Sequence, residues 1–361
     1  MVDRRRVAYL SYDFREYSLL LAAALGASAD VLLVVPDDFV AGAAPPTGVT
    51  FAPFRRARLR QPVGQLRAVW AIHRAIRRFR PDVIHLQHGQ LWLNPTLFAL
   101  RGIPLVVTVH DPMPHSGDKE SRKTPVRVMQ LAYRRAARLI VHGETLRESL
   151  VRAHRVDAER VAVIPHIRLG NEDLHAEIGE AGDEILFFGR IWEYKGLEYL
   201  IRAQPAITAA VPGARFVIAG RGEDFERYRA LMVDPTVFDV HNEYISDDQA
   251  AVYFRRASVV VVPYTDASQS GVIALACTYA KPVVATDVGA LSEAVEHGVT
   301  GLLIAPRDAQ AIVDAVVALL GDDDRREAMG RAAKQKSDNE CAPDVIAAQT
   351  LAVYSDAIAH R

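Results

Sequence analysis

The alternation of short β-branched runs with longer amphipathic stretches constrains this chain more than any other feature. Residues 7–10, 31–35, 139–141 and 161–164 are apolar at every position, and 83–86 and 105–109 at all but His85 and Thr108, the pattern of parallel strands covered on both faces. Residues 63–79 and 127–137 place apolar side chains at helical spacing between them. This is one doubly wound α/β unit. A polar stretch at 171–182 reads as a linker, and a second set of strands follows at 185–188, 216–219, 259–262, 283–285 and 302–304. Helical patterns at 197–210, 249–255, 271–279 and 309–320 separate them.

The sequence therefore predicts two Rossmann-like α/β domains, 1–170 and 171–342. At 361 residues the chain exceeds what one hydrophobic core usually organises. A last helix within 343–361 follows the second sheet with no strand after it, and either caps its own domain or reaches back to the first. The run 322–324, three aspartates, reads as the start of a helix.

Charge divides the chain in the same place. Residues 1–170 carry 26 Lys and Arg against 14 Asp and Glu, whereas 171–361 carry 17 against 30. A basic half attracts an anionic partner such as a phospholipid surface, a lipid phosphate or an acidic glycan. Its densest cluster is Arg55, Arg56, Arg58 and Arg60. A solvated face, or pairing with the acidic half, explains the same charges. No recognition helix, zinc finger or aromatic RNA-binding motif accompanies them, so nucleic acid is not the expected partner. Two cysteines, Cys277 and Cys341, make no disulfide framework and match no metal spacing, as in a reduced, cytoplasmic protein. The apolar run 18–35 is divided by Gly26 and Asp30 and approached through Asp13, Arg15 and Glu16, which argues against a signal peptide.

Open parallel sheets bind ligands outside the carboxyl ends of their strands. The richest such end is Phe188-Gly189-Arg190, followed by Lys195-Gly196 at the opening of a helix. Two cations five residues apart on such a loop can converge on a diphosphate together with helix amides; alone, they also describe an ordinary charged loop. The next strand ends at Gly220-Arg221-Gly222-Glu223-Asp224, an incomplete dinucleotide fingerprint. Ser268-Gln269-Ser270-Gly271-Val272 then opens an apolar helix, where hydroxyls and amides can receive an anion and Ser270 can equally act as a plain N-cap.

In this order, FFGRIWEYKGLEYLI, FVIAGRGED, YISDDQAAVYFRRASVVVVPY and SQSGVIALACTYAKPVVATDVGALSEAVEHGVTGLLI resemble the family 4 glycosyltransferases of the GT-B fold. VTVHDP at 107–112, VHGETLRESL at 141–150 and VIPH at 163–166 are similar to landmarks of that family's N-terminal half. The resemblance implies two facing Rossmann-like domains with a donor cleft between them, and retaining transfer of a hexose from a nucleotide-diphosphate sugar to a glycan, lipid-linked or small-molecule acceptor.

It implies that Gly189, Arg190, Lys195, Gly220 and Ser268 to Val272 hold the donor, with Arg190 and Lys195 on the diphosphate in place of a metal cofactor. Tyr244 and Ile245 would lie beside the base, and His110 near the donor sugar. Family members usually carry two glutamates eight positions apart around the 271 helix; here Ala267 and Leu275 stand in those places, and Gln269 is the candidate to replace one contact. Where many members have a double glycine after the first strand, this chain has Ser11 to Tyr17, so Tyr12 and Arg15, with His88 and His142, are acceptor-side candidates. His85 and His88 could bind a metal in isolation, but lack a third ligand nearby and read as structural or acceptor-facing. His142 and His166 sit at strand ends. The missing glutamates also keep open a nucleotide-sugar-binding protein without turnover, and the fold another reaction such as epimerisation or phosphorolysis.

Overall fold

A computed structural model describes residues 4–87, 89–113, 124–222 and 225–360. Within them the chain forms two compact units, one taking in residues up to Ile167 together with those from Ala342 onward, the other running from Arg168 to Cys341.

The first unit is built on a seven-stranded parallel sheet: β1 (Arg6–Leu10), β2 (Asp30–Val34), β3 (Val49–Phe51), β4 (Val83–Leu86), β5 (Leu105–Thr108), β6 (Arg138–Val141) and β7 (Val161–Val163). Their order is β3-β2-β1-β4-β5-β6-β7, so the winding reverses between β1 and β4. Helices α1 (Arg15–Gly26), α2 (Pro62–Phe79), α3 (Val126–Arg135) and α4 (Glu144–His154) connect them. The central strands are buried along nearly their whole length, as their apolar runs require. β3 is a short edge strand with one buried residue, and its Val-Thr-Phe lacks the apolar run that marks the others.

The second unit repeats the plan with β8 (Glu184–Phe188), β9 (Arg215–Ala219), β10 (Phe238–His241), β11 (Val259–Val262), β12 (Val283–Thr286) and β13 (Gly301–Ile304), ordered β10-β9-β8-β11-β12-β13. Its helices are α5 (Leu197–Ala210), α6 (Glu226–Arg229), α7 (Asp247–Arg256), α8 (Gly271–Thr278), α9 (Leu291–Ala294), α10 (Ala309–Leu320) and α11 (Asp323–Glu340). Local chemistry sets the helix starts. Ser246 and Gln249 form a reciprocal capping box on α7, Asp308 caps α10, and Asp322 caps α11, the helix that the three aspartates open. Two apolar clusters cover the two faces of this sheet, one beneath α5 and α10, the other beneath α7 and α8.

The polar stretch after Arg168 is fixed to the second unit by ion pairs. Glu180 meets Lys281 Nζ at 2.9 Å and Arg326 at 3.2 Å, and Glu172 meets Lys334 Nζ at 2.9 Å. The last helix, α12 (Pro343–Ala359), belongs to the first unit. It packs against α1 and the β4–β6 strands, with Tyr354 wholly buried. Arg138 pairs with Asp356, and Arg5 donates to the Leu351 carbonyl at 3.0 Å.

Candidate functional site

In the second unit the chemistry gathers where the winding reverses, between the exits of β8 and β11, the place where open parallel sheets take ligands. Backbone bonds lace the strand exits together. Gly189 N donates to Ala219 O at 2.9 Å, Gly220 N to His241 O at 3.0 Å, and Thr265 N to Tyr194 O at 2.8 Å. Gly220 adopts φ +147°, and a Cβ there would stand 1.9 Å from the Gly189 carbonyl oxygen, so only glycine lets these two turns meet. Gly196, at φ +66°, is equally tight against Pro263 O and starts α5 directly after Lys195.

Arg190 is exposed at this exit. The ammonium of half-buried Lys195 stands 3.6 Å from the centroid of the buried Tyr264 ring and 5.0 Å from that of Tyr194. The contact orients the cation without neutralising it. Val272, in the first turn of α8, comes within 3.4 Å of the position a Cβ would take on Gly189, which brings the opening of α8 to the β8 exit. Ser270 occupies the N-cap position of α8 but makes no capping bond with its side chain; its hydroxyl lies 3.3 Å from that of Tyr264. Ser268 is buried and its carbonyl accepts from Ala290 N. Gln269 Oε1 is buried with no hydrogen-bond partner among the described residues.

Gly189, Lys195, Gly220 and the Ser270 to Val272 opening are therefore brought together by the fold, with Arg190 on the same exit. Tyr244 and Ile245 sit after the edge strand β10, Tyr244 77% exposed and Ile245 packed against the core beneath α7. Ala267 is buried, and Leu275 packs against Gly170, so neither reaches out with a polar group. Glu223 and Asp224 lie outside the described residues.

The first unit has its own cluster, at the exits of β1, β4, β5, β6 and β7. His110, His142 and His166 approach one another with ring centroids 4.8, 5.2 and 6.3 Å apart, and Tyr17 faces all three. His110 is buried, and Phe14 stacks on it at 3.9 Å. Phe14 holds φ +59°, a left-handed conformation that costs a residue with a Cβ roughly 1–2 kcal/mol.

Behind His110, the Gln87 amide nitrogen is 2.7 Å from Nε2, while the Gln87 oxygen accepts the Tyr9 hydroxyl at 2.8 Å. This chain of donors makes Nε2 of His110 an acceptor and places its proton on Nδ1. His142 Nδ1 donates to Ile164 O at 2.9 Å, which leaves Nε2 an acceptor, buried and without a partner among the described residues. Burial holds the His142 pKa down to about 4, and burial followed by the nearby His142 holds that of His166 down to about 3. His142 and His166 are therefore neutral at physiological pH, each donating from Nδ1 and keeping Nε2 as an acceptor.

The remaining candidates fall elsewhere. Tyr12 packs its ring against Phe54 at 4.8 Å, and Arg15 donates to the Phe39 carbonyl at 3.1 Å, so both contact the β2–β3 side of the unit. His88 lies outside the described residues. His85 is structural: its two nitrogens meet Tyr354 OH at 2.6 Å and Thr108 Oγ1 at 2.8 Å. Sequence reasoning missed Phe14, Tyr17 and Gln87. The aromatic spacing after β1 and the polar residue directly after β4 were the available signals. Among the described residues, no group of three or more His, Cys, Asp or Glu is placed to hold a metal ion.

Comparison with known proteins decides the family. Residues 15–166 match the family model described as a glycosyl transferase 4-like domain, and residues 182–322 the one described as glycosyl transferases group 1. The chain is a family 4 glycosyltransferase. D-inositol 3-phosphate glycosyltransferase of Pseudarthrobacter chlorophenolicus is 32% identical to it over 296 residues, 73% of this chain and 69% of that protein. The sucrose-phosphate synthase of Thermosynechococcus elongatus has the same two-sheet fold, with TM-score 0.77 at 19% identity over 99% of this chain and 100% of that one. Anabaena HepE, solved in complex with UDP-glucose, matches with TM-score 0.70 at 19% identity over 96% and 99% of the two chains. Every stretch of the glycosyltransferase that carried the resemblance lies within or overlaps one of the two matched segments.

Proposed function

We propose that this glycosyltransferase moves a hexose, with retention, from a nucleotide-diphosphate sugar to a hydroxyl of an acceptor held by the first unit. The acceptor oxygen bonds to the anomeric carbon, the bond from that carbon to the diphosphate oxygen breaks, and the acceptor proton leaves with the diphosphate. Arg190 and Lys195 would stabilise the negative charge developing on that leaving group, the task a metal cofactor performs in other sites. His110 would hydrogen-bond the transferred sugar. HepE, of the same fold, was solved with UDP-glucose, which favours a uridine donor.

The observation that carries this reading is Lys195. Its ammonium has no carboxylate partner among the described residues, rests on the Tyr264 ring at 3.6 Å, and sits at the switch point beside the opening of α8. A half-buried cation held without a counter-ion is a ready anion site. We place the enzyme in the cytoplasm, at a membrane surface that the basic first unit contacts.

The test is thermal stabilisation by UDP, GDP, ADP and dTDP and their sugars. One base should stabilise the protein, and Arg190→Ala and Lys195→Ala should each weaken that binding or turnover by more than about tenfold, since charge-assisted contacts contribute ~1.5–3 kcal/mol. Unchanged affinity and turnover in both variants would remove the diphosphate site. Ala267 and Leu275 favour one second reading, a protein that binds nucleotide sugar without turning it over. Affinity with no product from any acceptor would select it.

A further inference from the structure

Helix α2 buries one stripe, Gln65, Ala68, Val69, Ile72 and Ile76, against the first sheet. The opposite stripe is unusual for a solvated helix. Val63, Leu66 and Trp70, at spacings of three and four, are 61%, 59% and 62% exposed. Arg67, Arg74 and Arg77 interleave with them on the same side, all exposed, and the Arg74 guanidinium lies 5.2 Å from the Trp70 ring centroid. The loop entering the helix adds exposed Arg55, Arg58 and Arg60, and its end adds Arg78 and Arg80. No Asp or Glu occurs from residue 39 to residue 81. Among the described residues, none of these eight arginines has a carboxylate partner.

Cations explain affinity for any polyanion, but not three large apolar side chains held out into water between them. Burying an apolar stripe while guanidinium groups spread sideways is what the boundary between lipid headgroups and acyl chains offers, and an indole is the side chain suited to that depth. A second copy of the same face would bring like charges together. We infer that the outward face of α2 docks flat on a bilayer carrying anionic lipid headgroups, with Trp70, Leu66 and Val63 in the interface and the arginines on the phosphates. This deepens the membrane contact proposed above, and assigns it to one helix face.

The experiment uses the full chain, floated with vesicles of phosphatidylcholine alone or containing about one-third phosphatidylglycerol, at low and at high ionic strength. The protein should float only with the anionic vesicles, and less at high salt. Leu66→Ser with Trp70→Ser, and separately Arg67→Glu with Arg74→Glu, should each lower the bound fraction roughly tenfold. Because these side chains are exposed, nucleotide-induced thermal stabilisation should be the same in all three proteins. That stabilisation reports the donor site by itself, so a protein that floats but ignores every nucleotide would refute the donor reading and leave the docking face standing. No flotation, or flotation unaffected by either variant, would overturn the proposal. Loss with the arginine variant alone would overturn it in favour of a soluble polyanion such as nucleic acid. Conversion of a dimer to a monomer by the Leu66 and Trp70 changes would overturn it in favour of a second copy.

Discussion

We propose that Gln269 takes over one contact of the missing glutamates. It lies two residues beyond Ala267, where family members usually carry a glutamate, and its Oε1 is buried without a donor among the described residues. Leaving such an acceptor unsatisfied costs about 1–3 kcal/mol, which a hydroxyl of a bound sugar would recover. Gln269→Ala should therefore lower kcat/KM for the intact nucleotide sugar about tenfold or more, while the affinity for the nucleoside diphosphate alone stays within about twofold. Titration calorimetry with the diphosphate, beside steady-state kinetics with the sugar nucleotide, separates the two. Equal losses for both ligands would show that Gln269 only supports the loop. Lys195 differs in kind, because its contact with Tyr264 leaves its charge available to whatever ligand arrives.

At the scale of elements, the decisive feature is the meeting of the β8 and β9 exits. Gly220→Ala must move the Gly189 carbonyl or abandon φ +147°, at a cost of about 3 kcal/mol, and it should reduce both thermal stability and nucleotide binding. A variant as stable as the parent would mean that the turns relax independently. The glycine was legible in the sequence; the surface it must fit was not, because that surface is the backbone of a strand thirty residues earlier. The same distinction runs through the whole fold. A central strand such as β11, Val-Val-Val-Val, announces itself by an unbroken apolar run, since both of its faces are covered. The edge strands β3 and β10, with Val-Thr-Phe and Phe-Asp-Val-His, bury only part of one face and carry no such signal. Arg190 and Lys195 were readable from spacing after a strand. Gln87, Phe14 and Tyr17 left only a faint trace, an aromatic spacing and one polar residue after a strand, because they reach His110 from the β4 exit and the start of α1.

For the molecule as a whole, the first unit is completed by residues from the far end of the chain, and that closure makes it sensitive to acid. Tyr354 on α12 seals His85 beneath it, and burial, with a smaller effect from His142, holds the His85 pKa down to about 3. His142 is held at about 4, again by burial first. Both imidazoles are neutral in the folded state and free to take a proton near pH 6.5 once unfolded. A depressed pKa of this kind contributes stability that is complete above pH 6.5 and is lost as pH falls toward 4 and then 3. By pH 5 each histidine should have removed about 2 kcal/mol from the first unit. The transition can be followed through Trp92 alone, with Trp70→Phe and Trp192→Phe in the background, by urea unfolding at pH 7.5 and pH 5.0. With His166, held at about 3 in the same cluster, the parent protein should lose roughly 6 kcal/mol between those pH values, and His142→Asn, less stable at the outset, should lose about two-thirds as much. Parallel losses in the two proteins would show that His142 is protonated in the folded state, and the neutral acceptor cluster beside His110 would have to be abandoned with it.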